Sequence, residues 1–406
     1  MIQKASNPFQ PAPGASPPEL VGRSSELAAI WDATERAKSG SVPTPLVFTG
    51  LRGIGKTVLL TRLIDSAGAH AVPIRLEVES EVPLSDVVQD AIARLLPTLR
   101  SVPKKLLAAV DAALRLVPKL NYELPNELGA LSLEAPADDR APHLPLRTAI
   151  ESLNAAVSSI GRFLVITIDE IHDADIASLR TIAAGVHQSA ASGNPILLAC
   201  AGLPQTVEVI AKLRTYAHRW DRFELDLLRG PEVAQAIRLP IERNGATIDR
   251  AALDLLIEQC AGYPFFVQKY ASAAWTAHRG RSITLADVER VVPGVRAGIE
   301  KAFYRDAFDD LSPRERMLVI ALADLGPGAH ELRAVSGALG VGSMALGSIR
   351  TRLIKKGVVF APRAGYLQFR IPLAERYVAD HREAYETPDV IAYRKAFRRD
   401  GDTHER

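Results

Sequence analysis

Residues 50–57 read GLRGIGKT and fit the pattern G-x-x-x-x-G-K-[ST] at every fixed position. They follow PLVFTG, an apolar run with the length of a buried strand, and precede VLLTRLI, which opens a helical pattern. A strand that turns tightly into a helix is therefore fixed at this point, and the turn suits phosphate. Gly50, Gly53 and Gly55 let the backbone turn and present N–H groups to phosphate oxygens. The helix starting near Lys56 adds about half a unit of positive charge at the same place. Lys56 is expected to reach the β- and γ-phosphates of ATP, and the Thr57 hydroxyl to ligate Mg2+. Leu51, Arg52, Ile54 and Val58 complete the ATP-binding stretch.

With 406 residues the chain suits two or three domains. Its composition, 47% hydrophobic and 24% charged, is that of a folded globular protein. A net charge of +2 gives no overall attraction to nucleic acid, so any such surface must be a local patch. Cys200 and Cys260 sit among apolar residues and read as buried hydrophobes, and no Cys/His spacing suggests zinc. The N-terminus carries no apolar signal stretch, and no run approaches the ~18 apolar residues of a membrane helix. The expected location is cytoplasmic, with no membrane partner.

Beyond the glycine-rich turn, apolar runs alternate with helical patterns. Strands are predicted at 73–78, 163–170, 195–202 and 223–228, and helices at 24–38, 84–97, 104–117, 145–159 and 174–190. Residues 118–142 read as an irregular insertion. Alternation of this kind argues for a parallel α/β sheet. After Arg229 the pattern is helical, at 231–243, 249–260, 263–278 and 284–291, with a connecting helix at about 295–310. Three helices and two strands joined by a Gly-containing turn then follow from Leu311. Residues 1–18, rich in proline, read as a disordered tail, and 386–406 as a charged one.

FLVITIDE (163–170) ends in two carboxylates, at the strand end where α/β sheets bind ligands. Asp169 is placed to hold the Mg2+ shell and Glu170 to orient or deprotonate the attacking water. The following IHDAD contains His172, Asp173 and Asp175. It reads as a solvated turn and a helix N-terminus, not as a metal cluster.

The order VGRSSEL (21–27), GLRGIGKT, VITIDE and GYPFFVQ (262–268), followed by the C-terminal helices and strands, resembles the AAA+ and STAND-type P-loop ATPases. The likeness is to the branch with origin-recognition-like ATPase domains and a Gly-x-Pro lid. It implies an α/β P-loop NTPase core at 19–228, an all-helical lid at 229–304 and a winged helix-turn-helix at 305–385. It also implies that Val21, Gly22 and Arg23 line the adenine pocket and that Pro264 helps place the lid over the nucleotide. Two features depart from the family. The end of the fourth strand, LLACAGLP, lacks the usual polar sensor, with Gln205 and Thr206 displaced from that position, which implies slow hydrolysis. The arginine finger that the family supplies to a neighbouring subunit is assigned to Arg219, with Arg214 and Arg222 as alternatives.

Residues 311–380 hold ten Lys/Arg and five Asp/Glu, a local excess of +5. Arg350, Arg352, Lys355 and Lys356 lie on the third helix and are the expected contacts to duplex DNA, with Arg363 and Tyr366 in the wing. Two functions are consistent with this pattern. One is an ATPase switch, able to form homo-oligomers with ATP, whose nucleotide state controls DNA association. The other is a STAND-type signalling or defence regulator whose winged helix contacts a protein partner.

Overall fold

A computed structural model describes residues 7–12, 14–79, 82–115 and 143–403; the side chains of 115, 143–145, 214–216, 306 and 398–403 are outside the description. Two compact units emerge. One joins Arg23–Gly50 to Gly55–Asp226, and the other joins Met1–Gly22, Leu51–Ile54 and Leu227–Arg406.

The first unit runs α1 (Ser24–Lys38), β1 (Leu46–Thr49), α2 (Lys56–Ala67), β2 (Ala71–Glu77), α3 (Leu84–Leu95), α4 (Lys104–Arg115), α5 (His143–Ser158), β3 (Phe163–Asp169), α6 (Ile176–Ala191), β4 (Ile196–Gly202), α7 (Thr206–Ala211) and β5 (Asp221–Glu224). The five strands form one parallel sheet in the order β2-β3-β4-β1-β5. β1 and β4 are buried along their whole length, and β3 at every residue before Asp169. This is why they read as continuous apolar runs: helices cover both faces of a parallel sheet. The order sets β4 between β3 and β1, so the ends of these three strands lie side by side.

β5 ends four residues before the predicted 223–228 strand does. As an edge strand it is largely exposed, while the apolar Leu225 and Leu228 that suggested a strand are buried just beyond it. Leu225 N–H still donates to Thr49 O at 2.7 Å, one residue past the last β1–β5 pair, Thr49–Glu224. The insertion read at 118–142 lies outside the described residues.

The second unit continues with α8 (Gly230–Arg243), β6 (Thr247–Ile248), α9 (Arg250–Cys260), α10 (Pro264–Ala277), β7 (Ser282–Ile283) and α11 (Leu285–Glu300). A capping box of Thr284 and Asp287 starts α11. The helix predicted at 284–291 instead carries Pro293 in its interior and continues to Glu300, into the span read as a connecting helix. The helix packs along α9 and α10, which holds it together across the N–H that the proline lacks.

A π-turn, Lys301–Arg305, and the short α12 (Asp306–Phe308) follow. Next come α13 (Pro313–Asp324), β8 (His330–Glu331), α14 (Leu332–Leu339), a 3-10 turn at Ser343–Leu346, α15 (Gly347–Lys355), β9 (Val359–Phe360) and β10 (Tyr366–Phe369). The last three strands form an antiparallel sheet ordered β8-β10-β9. The chain finishes through α16 (Ala374–Asp380), α17 (Arg382–Tyr385) and α18 (Pro388–Thr403).

Both predicted tails contain anchored residues. Phe9 is buried, Asn7 donates to Ser272 O at 3.0 Å, and Gln10 N–H donates to Gln268 Oε1 at 3.0 Å. The charged C-terminus forms α18 against α13, with Val390 buried and Arg314 over the Tyr393 ring at 4.9 Å. Its long charged side chains hid an apolar stripe. No single helix among the described residues is long and apolar enough to cross a membrane.

Candidate functional site

The glycine-rich turn begins where β1 ends. Gly50 N–H donates to Gly202 O at 3.2 Å, tying the start of the turn to the end of β4. Gly53 (φ +79°) and Gly55 (φ +102°) adopt left-handed backbone, which a side chain would disfavour by about 1–2 kcal/mol. Lys56 is 6% exposed, and its Nζ donates to Gly50 O at 3.1 Å. The lysine therefore folds back over the loop that its own helix begins. Val58, the next inward position of α2, is buried.

The two motifs converge at one contact. Thr57 Oγ1 donates to Asp169 Oδ2 at 2.6 Å, across 112 residues of sequence. Asp169 Oδ1 accepts from Glu170 N–H at 2.9 Å, so both carboxylate oxygens are oriented. Glu170 has left-handed backbone, φ +52°, a conformation that costs a residue with a side chain about 1–3 kcal/mol. It is one of three such residues besides glycine among the described residues, the others being Ala261 and Leu373.

Hydroxyl and carboxylate are the hard oxygen donors that suit Mg2+, which keeps most of its shell as water and phosphate. The residues present fit that ion. They do not build a separate metal centre: among the described residues no group of three His, Cys, Asp or Glu side chains could hold one. Asp175 instead caps α6, accepting from Ser178 N–H at 2.7 Å, and also accepts from Leu84 N–H at 3.0 Å.

His172 departs from the solvated turn that the sequence suggested, since its side chain is only 3% exposed. Its Nδ1 accepts from Leu203 N–H at 3.3 Å and lies 3.4 Å from Glu170 Oε2. Its Nε2 lies 3.7 Å from Asp173 Oδ2. The same crowding accounts for the absent polar residue at the end of β4. A Cβ on Gly202 would stand 2.2 Å from Thr206 Oγ1, 3.1 Å from Ile171 Cγ2 and 3.2 Å from His172 Nδ1. The space a side chain would need is filled by Thr206, which is fully buried, and by the imidazole. Nothing in the sequence alone marked His172 as buried.

The remaining site residues lie in several settings. Arg23 is buried and its Nη2 donates to Asp226 O at 2.8 Å, so its guanidinium is committed to the backbone. Arg219 is exposed in the turn before β5. Arg222 Nη2 donates to Ala217 O at 3.3 Å, and the Arg214 side chain lies outside those described.

In the second unit, Val21 packs against the core. Gly22 (φ +72°) has Leu228 Cδ2 where a Cβ would come within 2.8 Å. Gly262 (φ +79°) is similarly confined: Leu228 N–H donates to its carbonyl at 2.8 Å, and a Cβ would meet Leu228 O at 2.4 Å. Pro264 takes the first turn of α10, where a proline suits the helix. Tyr263 is buried and its hydroxyl donates to Arg52 O, while Ile54 is buried and Leu51 half-buried. Burial pushes the Tyr263 phenol pKa up, so the donor keeps its proton.

The four cations of α15 and its end do not form one free row. Lys356 Nζ donates to Glu315 Oε2 and to Asp310 O, both at 2.9 Å, and Arg352 Nε is 3.5 Å from Glu315 Oε1. Glu315 is 2% exposed and also caps α13 through Ser312. Burial pulls its carboxyl pKa up, but the bonds from Lys356 and from the Ser312 N–H and hydroxyl outweigh that and lower it. Arg350 is half-buried and Lys355 exposed. In the β9–β10 hairpin Arg363 stacks over Tyr366 at 3.7 Å, and Tyr366 donates to Glu331 at 2.8 Å.

Residues 19–198 match the family model described as AAA ATPase domain, and residues 301–378 match one described as Domain of unknown function (DUF8462). Among solved structures, the chain is similar to the ORC2 protein of Aeropyrum pernix, determined in ADPNP–ADP complexes. Identity is 15% and the TM-score 0.57, over 95% of this chain and 97% of that one. It is also similar to the Walker-type ATPase PABY2304 of Pyrococcus abyssi, with 10% identity and a TM-score of 0.56 over 91% and 99%. Comparison with curated proteins gives no match. The fold is that of AAA+ P-loop NTPases: a five-stranded parallel sheet, most of it within the residues matched by the AAA ATPase domain model, followed by a mostly helical region.

Proposed function

We propose that this chain is an ATP-driven switch, with a slow ATPase in residues 19–228 and a DNA-associating winged helix in residues 305–385. The observation that carries the first half is the 2.6 Å bond between Thr57 and Asp169. It brings the hydroxyl of one motif and the carboxylate of the other to one point beside a glycine-rich turn. In this reading the turn's N–H groups and Lys56 bind the phosphates. Thr57 and Asp169 would hold Mg2+, which when bound would supply positive charge against the phosphates. Glu170 orients the attacking water and takes its proton. Val21, Gly22, Arg23 and Pro264 retain the nucleotide-facing roles the family resemblance implies, with Arg23 acting through the backbone it braces. The ADPNP–ADP complexes of the Aeropyrum pernix protein accord with a nucleotide ligand.

The second half rests on element order. α13, β8, α14, α15 and the β9–β10 hairpin follow the order of a winged helix-turn-helix, with α15 in the place of the helix that enters a major groove. Free energy for switching would come from unequal affinity of ATP for the DNA-competent and incompetent states.

A protein-facing role for the same region is favoured by two observations. Glu315 occupies Arg352 and Lys356, and Met344 beside α15 is 95% exposed. Duplex binding measured with ATP, with ADP and without nucleotide, across a salt series, separates the two. ATP-dependent binding that weakens with salt supports the switch. No binding at low salt in any nucleotide state leaves the protein-facing reading.

A further inference from the structure

The proposed hydrolysis leaves His172 without a part, yet few side chains are so closely placed. Its Nδ1 has two neighbours at almost equal distance, Leu203 N–H at 3.3 Å and Glu170 Oε2 at 3.4 Å. A ring nitrogen either accepts or donates, so it serves one of them at a time. Accepting from Leu203, Nδ1 commits its lone pair to that N–H and has no proton to give the carboxylate, and the ring proton sits on Nε2, the side of Asp173. Carrying the proton itself, Nδ1 holds Glu170 and gives up Leu203.

The ring has little freedom to avoid this choice. It is 3% exposed, and the Gly202 backbone lies so close that even a Cβ there would come within 3.2 Å of Nδ1. Glu170 is fixed from its other side by a left-handed backbone and by its N–H bond to Asp169. Leu203 follows directly on β4, whose last carbonyl, Gly202 O, accepts from Gly50 N–H. A short series of contacts thus runs from the start of the phosphate-binding turn, through the end of β4 and the imidazole, to the Glu170 carboxylate.

We propose that His172 is a positioning residue for Glu170, coupling the carboxylate's orientation to the end of β4 and so to the phosphate-binding turn. It would supply, from the Glu170 side, the link to the fourth strand that no polar side chain on Gly202 can make. This inference rests on Glu170 acting in hydrolysis.

Two substitutions in the full chain test it. His172→Leu keeps much of the bulk and removes the nitrogen, while His172→Asn places a polar amide atom near the position of Nδ1. His172→Leu is expected to lower kcat for phosphate release tenfold to a hundredfold, the scale of a misplaced catalytic group, with the Kd for ATP within about twofold. His172→Asn is expected to recover most of that kcat. A wild-type kcat in His172→Leu overturns the proposal, as does an Asn variant no better than Leu.

A measurement independent of turnover accompanies these. The 15N resonances of the His172 imidazole, identified by their loss in His172→Asn, are expected to shift in Glu170→Gln. Unchanged resonances overturn the contact. Equal phosphate release by wild type and Glu170→Gln is a different result, which removes the hydrolytic role of Glu170 itself; slow Glu170→Gln with normal His172→Leu removes only the role of His172.

Discussion

At the scale of single residues, the tightest sites are those where something other than a side chain's own chemistry decides its identity. Gly202 is the clearest. Its neighbours leave no room for a Cβ, with Thr206 Oγ1 only 2.2 Å from where it would lie. Gly202→Ala is therefore expected to destabilise the first unit by about 1–3 kcal/mol, the cost of overpacking a closed core. Thr206→Gly in the same chain should recover part of the loss, because it empties the clashing volume. Urea unfolding of the single and double variants checks this, and additive losses would mean the crowding is relieved elsewhere. Glu170→Gln retains the shape of the side chain and removes the proposed base. Phosphate release is expected to fall by about 10²–10⁴-fold with ATP affinity little changed. The strand, turn and helix start at 50–57, and Asp169 and Glu170 at the end of β3, were legible in sequence because they depend on local order. His172 was not, since its burial depends on β4 and Leu203, some thirty residues away. The polar character of IHDAD suggested solvent, and only tertiary packing placed the imidazole under it.

At the scale of elements, the buried strands announced themselves by composition, and their partner order did not. β5 was displaced because its apolar residues anchor the segment after it, and α11 runs past residue 291 to Glu300 with Pro293 in its interior. α15 shows the same limit with charge. Its cations were visible in sequence, but the carboxylate that holds two of them lies on α13. This changes the expected salt dependence of DNA binding. Five neutralised phosphates would give a slope of log affinity against log salt of about −4 to −5, while Arg350, Lys355 and Arg363 alone would give about −3. Glu315→Gln should steepen the slope toward the larger value by releasing Arg352 and Lys356. It should also cost about 1–2 kcal/mol, since the cap of α13 is weakened.

Glu315 carries a pH signature as well. Its carboxyl titrates below the ordinary 4.5 in the folded chain, so its stabilising contribution is complete above that value. The contribution is lost as pH falls through the lowered folded pKa. Wild type should thus lose more stability than Glu315→Gln on acidification from pH 6 to pH 3, read by thermal melting. Parallel losses would mean that the bonds to Lys356 and Ser312 contribute nothing to folding.

At the scale of the whole molecule, the proposed switch makes a demand that no single contact can meet. If ATP changes the affinity for duplex DNA by some factor, DNA must change the affinity for ATP by the same factor, because both ligands bias one equilibrium. The Glu170→Gln chain allows a clean measurement, since ATP persists while both titrations are made. A coupling of about 5- to 150-fold is the usual range for such switches. The expected outcome is a DNA Kd at least about fivefold tighter with ATP than with ADP, and a preference for ATP over ADP that rises by the same factor when saturating duplex is added. Thr57→Val, which removes the hydroxyl that meets Asp169, should abolish both effects together by weakening the Mg2+–ATP complex. Were the Glu170→Gln chain, with Thr57 intact, to bind DNA equally with ATP and with ADP, α15 and its hairpin would be a constitutive DNA contact. Were the ATP preference to survive with no response to DNA, the nucleotide site would be coupled to something else, and the exposed surface around Met344 would be the place to seek it.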